Sequence, residues 1–166
     1  MIGMPNSKLL TIAVPAYNAA SYLHTCLDSL VRSGDEVEVL VVNDGSKDGT
    51  LQVARDYAER YPGIVVAVDQ ENRNWGGAVN HALELASGTF FYIVDSDDWL
   101  DSSKLTEVVS RLRMLEEQQA GVDLYMVNYV YNRVENGDRH TISYEKLLPS
   151  DKVVGWDAMS NPSLDQ

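Results

Sequence analysis

The feature that most constrains the fold is a regular alternation of short apolar runs with amphipathic helical segments. Four runs of five or six residues predict buried strands, at 9–14, 37–42, 64–68 and 90–94. Apolar residues at helical spacing predict helices at about 21–31, 50–61 and 76–86 and around 105–112. Strands that are apolar along their length and alternate with helices are covered on both faces. The sequence therefore predicts an α/β fold with a mostly parallel sheet and helices on both faces.

The pattern changes after residue 121. Segments 123–134 and 139–144 look like two strands joined through residues 135–138, where Asn-Gly favours a type I′ turn. This predicts a C-terminal β-hairpin. We expect residues 1–166 to form a single domain, truncated at its C-terminus because the final Ser-Asn-Pro-Ser-Leu-Asp-Gln reads as part of a loop.

Charge and cysteine content exclude several classes of partner. A net charge of −12 argues against nucleic acid and against an electrostatic grip on anionic lipid, because both are bound by clustered Lys and Arg. Cys26 is the only cysteine and lies among leucines at helical spacing, which predicts a buried thiol in a reducing compartment. No segment reaches the roughly 20 apolar residues of a transmembrane helix. We expect a cytoplasmic protein.

Three polar motifs each follow a predicted strand directly. They are Pro-Ala-Tyr-Asn at 15–18, Asn-Asp-Gly-Ser at 43–46 and Asp-Ser-Asp-Asp at 95–98. Ligands of parallel α/β sheets bind beyond the carboxyl ends of the strands, so all three motifs are expected at one edge. Within the first motif, Tyr17 is either a pocket aromatic or a core residue.

The aspartates at 95–98 suggest a metal site. On an extended backbone, Asp95 and Asp97 would point to one side and Asp98 to the other. Two converging carboxylates suit Mg²⁺ or Mn²⁺, and such a cation can hold a diphosphate. Helix capping explains one aspartate but not three. An EF-hand loop is excluded, because its sixth and twelfth positions would be Leu100 and Thr106 instead of Gly and Glu.

Two further motifs leave alternatives open. Asp44 could accept the N3–H of a uracil ring, or it could belong to a plain strand-to-helix turn with Ser46 or Asp48 as N-cap. Gly76 and Gly77 open a helix whose backbone N–H groups could approach phosphate, without a Rossmann fingerprint or a P-loop. The histidines lack partners at metal-ligand spacing and are predicted to be ordinary surface or hydrogen-bonded residues: His24, His81 and His140.

Taken together, these motifs resemble the family 2 glycosyltransferases with the GT-A fold. The blocks that carry the resemblance lie at 11–31, 37–50, 70–101 and 123–129, in the order and spacing of that family. The resemblance implies an inverting hexosyltransferase that uses a nucleotide-diphospho-sugar, commonly UDP-linked, with Mg²⁺ or Mn²⁺. Its acceptor would be a glycan, a lipid-linked sugar or another hydroxyl in cell-surface polysaccharide synthesis. It also implies a full-length protein peripheral to the inner face of the membrane.

The resemblance also implies roles for particular residues. Asp97 would be the main metal ligand, with Asp95 between the metal and the ribose, and the role of Asp98 stays open. Asp44 would read the uracil. The residues expected to line the nucleotide site are Pro15, Ala16, Tyr17, Asn18, Asp44, Asn74, Gly76, Gly77, Asn80, Asp95 and Ser96.

The chain departs from the family pattern in two places. Val79 stands where many relatives have Arg before the asparagine, which removes one basic contact to the nucleotide. The family's catalytic base is expected beyond Gln166, so this chain should bind donor but transfer sugar poorly. Carboxylates near the end without a base motif are Asp151, Asp157 and Asp165. A sugar-phosphate nucleotidyltransferase and a non-catalytic sugar-nucleotide-binding module stay as alternatives.

Overall fold

A computed structural model describes residues 8–133, 137–144 and 152–155. The chain divides into two compact units, Met1–Met114 and Leu115–Gln166. The prediction of a single domain stays a prediction. Within the described residues, no helix combines the length and the apolar character needed to cross a bilayer.

The first unit is built on a four-stranded parallel sheet. Its strands are β1 (Leu10–Ala16), β2 (Val37–Asp44), β3 (Val65–Gln70) and β4 (Phe90–Ile93). They lie in the order β3-β2-β1-β4 and all neighbours run parallel. Every residue of the central strands β1 and β2 is buried. The predicted parallel sheet is confirmed, and each strand begins or ends within two residues of its predicted position.

Helices follow the strands and cover the sheet. They are α1 (Leu23–Leu30), α2 (Thr50–Arg60), α3 (Asn74–Leu85) and α4 (Ser102–Glu117). Ala78 and Ala82 of α3 form one buried cluster with Leu40 and Val42 of β2. Side chains alternate across a strand, and the residues between these positions, such as Val41, are fully buried too. Both faces of the sheet are therefore covered.

Helix α3 is held at both of its ends by carboxylates of β2. Before the helix, the backbone N–H of Arg73 donates to Asp44 Oδ1 at 2.7 Å. After the helix, the backbone N–H of Ser87 donates to Glu38 Oε1 at 2.6 Å. These two contacts fix the position of α3 along the sheet.

The second unit contains the predicted hairpin. Strands β5 (Tyr129–Arg133) and β6 (Asp138–Ile142) pair antiparallel, with Tyr129 opposite Ile142. The turn predicted at Asn136-Gly137 falls partly outside the described residues, so its type stays a prediction.

Candidate functional site

A pocket of about 240 Å³ opens beyond the carboxyl ends of β1, β2 and β4. All of its lining residues belong to the first unit: Pro15, Ala16, Tyr17, Asp44, Trp75, Ala78, Asp95, Ser96 and Asp97. The three motifs that follow the strands therefore meet at one edge of the sheet, as parallel pairing requires. Within the part of the chain that the structure describes, the lining holds three aspartates and no lysine or arginine.

The aspartate motif is a tight turn and not an extended segment. Strand β4 ends at Ile93, and the backbone N–H of Asp98 donates to the carbonyl of Asp95 at 2.9 Å. The extended backbone predicted for residues 95–98 is wrong for this reason. Asp95 and Asp97 nevertheless both line the pocket, and Asp98 does not.

Capping of the following helix is performed by a different aspartate. Asp101 Oδ1 accepts the backbone N–H groups of Ser103 at 2.9 Å and Lys104 at 3.2 Å, and it also accepts the Ser103 hydroxyl at 2.6 Å. These bonds, above all the one from the Ser103 hydroxyl, hold the pKa of the Asp101 carboxyl below its ordinary value. The aspartates in the pocket are therefore not explained by capping.

The electrostatic environment of this edge is strongly negative. Partial desolvation raises the pKa of the Asp98 carboxyl, and the charges on Asp97 and Asp95 raise it further. Burial, followed by the same three aspartates, raises the pKa of the Cys26 thiol to about 12. This thiol is fully buried, as predicted, and stays protonated at neutral pH.

The donor set suits a cation that arrives together with an anionic ligand. Among the described residues, no group of three or more His, Cys, Asp or Glu side chains is arranged to hold a metal ion. Mg²⁺ is usually held by one or two carboxylates together with substrate phosphates, and not by a cage made only of protein. Asp95 and Asp97, side by side in an anionic pocket, match that requirement.

Asp44 is both a structural acceptor and part of the pocket wall. It is 3% exposed, and its Oδ1 accepts Gln70 Nε2 and the Arg73 N–H, each at 2.7 Å. Oδ2 accepts no hydrogen bond within the described part of the chain. The next residue, Gly45, has φ +68°, and a Cβ there would come within 2.8 Å of the Asn72 nitrogen. The loop around Asn72 therefore closes tightly over the end of β2.

Residues 43–50 form the predicted strand-to-helix turn, but the N-cap of α2 is Gly49 and not Ser46 or Asp48 as predicted. Asp48 Oδ1 accepts the backbone N–H of Thr50 at 3.0 Å at the start of α2, and its Oδ2 accepts the N–H of Ala20 at 3.1 Å. Asp48 thus connects the start of α2 to the loop after β1.

Five of the residues predicted for the nucleotide site do not line the pocket: Asn18, Asn74, Gly76, Gly77 and Asn80. Asn18 instead connects two loops, because its Oδ1 accepts the N–H of Lys47 at 2.9 Å. Asn74 has φ +61° where α3 begins, and a Cβ on Gly77 would overlap the Arg73 side chain. These residues shape the surroundings of the pocket, and their contact with nucleotide stays a prediction.

Two aromatic side chains flank the pocket with much of their surface open. Tyr17 is 49% exposed and Trp75 is 56% exposed, and the indole Nε1 donates to Asp95 Oδ1 at 2.8 Å. The sequence reasoning missed Trp75 and Ala78. Their helical spacing to Ala82, which packs on the sheet, is the signal that could have placed both on the inner side of α3.

Comparison with known proteins agrees with this architecture. The family model described as Glycosyl transferase family 2 matches residues 11–160. The putative glycosyltransferase EpsH of Bacillus subtilis is 33% identical over 160 residues, which are 89% of this chain and 44% of EpsH. The chain thus spans less than half of that relative, and the shares of the other curated relatives are similar or smaller.

Solved structures match about two thirds of the chain or somewhat less. A crystal structure of S. aureus TarS in complex with UDP-GlcNAc has 30% identity and a TM-score of 0.58, and the match covers 65% of this chain and 32% of that one. The mannosyltransferase PcManGT from Pyrobaculum calidifontis, in complex with GDP-Man and Mn²⁺, has 32% identity and a TM-score of 0.54, covering 60% and 31%. The predicted GT-A class of α/β fold is confirmed.

Proposed function

Because this chain belongs to glycosyl transferase family 2, we propose that it is the donor-binding part of an inverting glycosyltransferase. The donor is a UDP-sugar, and the acceptor is a hydroxyl of a glycan or lipid-linked sugar in cell-surface polysaccharide synthesis. The observation that carries the proposal is a pocket whose lining, among the described residues, has three aspartates and no basic side chain. Support also comes from the nucleotide-sugar complexes of the two similar structures.

The acidic lining makes a cation necessary for a diphosphate ligand. Carboxylates and phosphates repel each other, and no lysine or arginine of the pocket lining offsets that repulsion. Asp97, assisted by Asp95, would hold Mg²⁺ or Mn²⁺ beside the diphosphate. A cation bound there would stabilise the negative charge of the departing nucleoside diphosphate.

The remaining walls suit a nucleoside. Asp44 presents Oδ2 as an acceptor for the ring N–H of a uracil, and the exposed ring of Tyr17 offers a flat apolar face. A volume of about 240 Å³ is just below the range of roughly 300–1,000 Å³ of small-molecule sites. We infer that the pocket holds the nucleoside and that the sugar extends beyond it.

Catalysis by inversion also needs a general base beside the acceptor hydroxyl. Asp151, Asp157 and Asp165 lie outside the described residues, and our proposal assigns the base to none of them. The proposal also includes a cytoplasmic location with peripheral contact to the inner membrane face.

The proposal is tested by thermal unfolding with UDP, in Mn²⁺ and in EDTA. At a UDP concentration about 100 times its dissociation constant, the ligand should add about 2.7 kcal/mol to the free energy of unfolding in Mn²⁺ and almost nothing in EDTA. The variant Asp97→Ala should fold normally and lose this stabilisation, because it lacks the main metal ligand.

Asp101→Ala is the matched control. It removes a nearby aspartate that caps α4 and does not line the pocket. It should cost about 1 kcal/mol of stability and keep the effect of UDP. Equal stabilisation of the parent chain in EDTA, or an unchanged response of Asp97→Ala, would refute a metal-bridged donor site.

A further inference from the structure

A chain of side-chain hydrogen bonds leads from helix α3 to the wall of the pocket. His81 Nδ1 lies 2.7 Å from Gln70 Oε1, and Gln70 Nε2 lies 2.7 Å from Asp44 Oδ1. Gln70 and His81 are half-buried, and neither lines the pocket. Among the described residues, Asp44 is the residue that connects them to the pocket lining.

The chemistry of the three groups fixes the direction of each bond. An ionised carboxylate only accepts hydrogen bonds, so Gln70 must turn its NH₂ group towards Asp44. Its carbonyl oxygen then faces His81, whose Nδ1 must carry a proton in order to donate. A reversed Gln70 amide would turn its carbonyl oxygen towards the Asp44 carboxylate, so that two acceptors would face each other. The two hydrogen bonds therefore have one stable direction, from His81 to Gln70 and from Gln70 to Asp44.

These hydrogen bonds restrict the rotation of the Asp44 carboxylate. Gln70 is the direct cross-strand partner of Asp44, and the Arg73 N–H approaches the same oxygen from the start of α3. Rotation about the bond between Cβ and the carboxyl carbon would break both hydrogen bonds to Oδ1. Both oxygens of this carboxylate, which belongs to a residue of the pocket lining, are thereby kept in fixed positions.

We propose that Gln70 and His81 are positioning residues for nucleobase recognition, which orient Asp44 towards a base that carries a ring N–H. This inference rests on the proposed function. Uracil has a donor at N3, whereas cytosine has an acceptor there, so a fixed carboxylate oxygen favours UDP over CDP. Loss of these hydrogen bonds should weaken the selectivity for UDP over CDP and leave the cation and diphosphate contacts in place.

The test is titration calorimetry with UDP and CDP in Mn²⁺ on the parent chain and four variants. His81→Leu and Gln70→Met remove one link each at similar size. We expect each to weaken UDP about tenfold, a factor that corresponds to about 1.4 kcal/mol, and to leave CDP nearly unchanged. His81→Asn restores an N–H donor close to the position of Nδ1 and should recover most of the UDP affinity.

Gln52→Met is the matched control. Gln52 Nε2 donates to Asp56 Oδ1 at 2.8 Å, which is the same type of bond on the exposed surface of α2. This variant should bind UDP and CDP as the parent does. Thermal unfolding of every variant checks the fold, and if His81→Leu does not fold, Gln70→Met decides the question.

Three results overturn the inference. Unchanged UDP affinity in both link-breaking variants shows that Asp44 needs no support. Equal weakening of UDP and CDP shows a general structural role and no role in base recognition. Absence of Mn²⁺-dependent UDP binding by the parent chain refutes the proposed function and this inference with it.

Discussion

Each end of strand β2 carries a buried carboxylate that holds one end of helix α3. Glu38 and Asp44 lie on one face of the strand, separated by the apolar Leu40 and Val42, and they are 8% and 3% exposed. Each carboxylate accepts a backbone N–H at one end of α3. A buried carboxylate is costly unless its charge is satisfied by hydrogen bonds, and both ends meet that condition.

The two ends differ in what lies beyond the shared contact. Glu38 Oε1 also accepts the hydroxyls of Thr11 at 2.6 Å and Ser87 at 2.9 Å. Thr11 in turn accepts the N–H of Gly88, where a Cβ would come within 2.5 Å of the Thr11 nitrogen. At the other end, Asp44 borders an open pocket that contains two further aspartates. The Glu38 end is therefore a packing contact, whereas the Asp44 end combines packing with a place in the pocket lining.

The largest expected effect is a loss of stability when the Glu38 carboxylate is removed. Glu38→Leu keeps the size of the side chain and leaves the Ser87 N–H and the Thr11 hydroxyl without their acceptor. We expect the free energy of unfolding to fall by about 3 kcal/mol, measured by urea denaturation, because the buried Thr11 hydroxyl and two donors of Ser87 lose their acceptor together.

Glu38→Gln is the control, since its amide oxygen can still accept these bonds, and it should cost much less. In both variants the folded protein should bind UDP with the parent's affinity. A loss below about 1 kcal/mol in Glu38→Leu would show that water replaces the missing acceptor.

At the Asp44 end we expect the reverse: a substitution should weaken UDP binding and change stability little. Asp44→Asn keeps Oδ1 as the acceptor for Gln70 and Arg73 but replaces Oδ2 with an NH₂ donor. Stability should change little, whereas UDP binding should weaken by about 1.5–3 kcal/mol because a charged acceptor for the base is lost.

Calorimetry with UDP in Mn²⁺ measures the affinity for the nucleotide, and calorimetry with Mn²⁺ alone checks that the affinity for the metal is retained. Equal UDP affinity of Asp44→Asn and the parent would make Asp44 a purely structural residue, as Glu38 is.

Sequence patterns predicted the elements well because those patterns are local. The continuous apolar strands and the helical spacing between them reflect burial on both faces of a parallel sheet. The edge that carries the site also followed from the sequence, since parallel strands bring their carboxyl ends together. The motifs at this edge, together with the family resemblance, predicted seven of the lining residues, among them Asp44, Asp95 and Asp97.

The missed features depend on contacts between distant parts of the chain. The extended reading of residues 95–98 failed because the carbonyl of Asp95 closes a turn with Asp98, and strand periodicity carries no information about where a strand stops. His81 is hydrogen-bonded, which agrees with its prediction as a surface or hydrogen-bonded histidine, but its link to Asp44 through Gln70 has no signal in the sequence. Pattern and spacing do not contain cross-element hydrogen bonds of this kind.

The smallest expected effect concerns Trp75, which links the start of α3 to the aspartate turn. Its indole N–H occupies Asp95 Oδ1, an oxygen that the proposed metal or ribose contact also needs. Trp75→Phe keeps an aromatic ring and removes this donor. The hydrogen bond is exposed, so its loss should cost at most about 0.5 kcal/mol of stability.

Mn²⁺-dependent UDP affinity should rise about twofold in Trp75→Phe, because binding no longer requires the indole to release Asp95. Trp99→Phe is the control, since Trp99 is 46% exposed and does not line the pocket. Any change in tryptophan emission on adding UDP with Mn²⁺ should be lost in Trp75→Phe and kept in Trp99→Phe. If Trp75→Phe instead weakened UDP tenfold or more, about 1.4 kcal/mol, the indole N–H would be a ligand contact in its own right. The ligand would then contact the start of α3 as well as the end of β2. The Glu38 end of β2, which only packs, would differ from the Asp44 end still more.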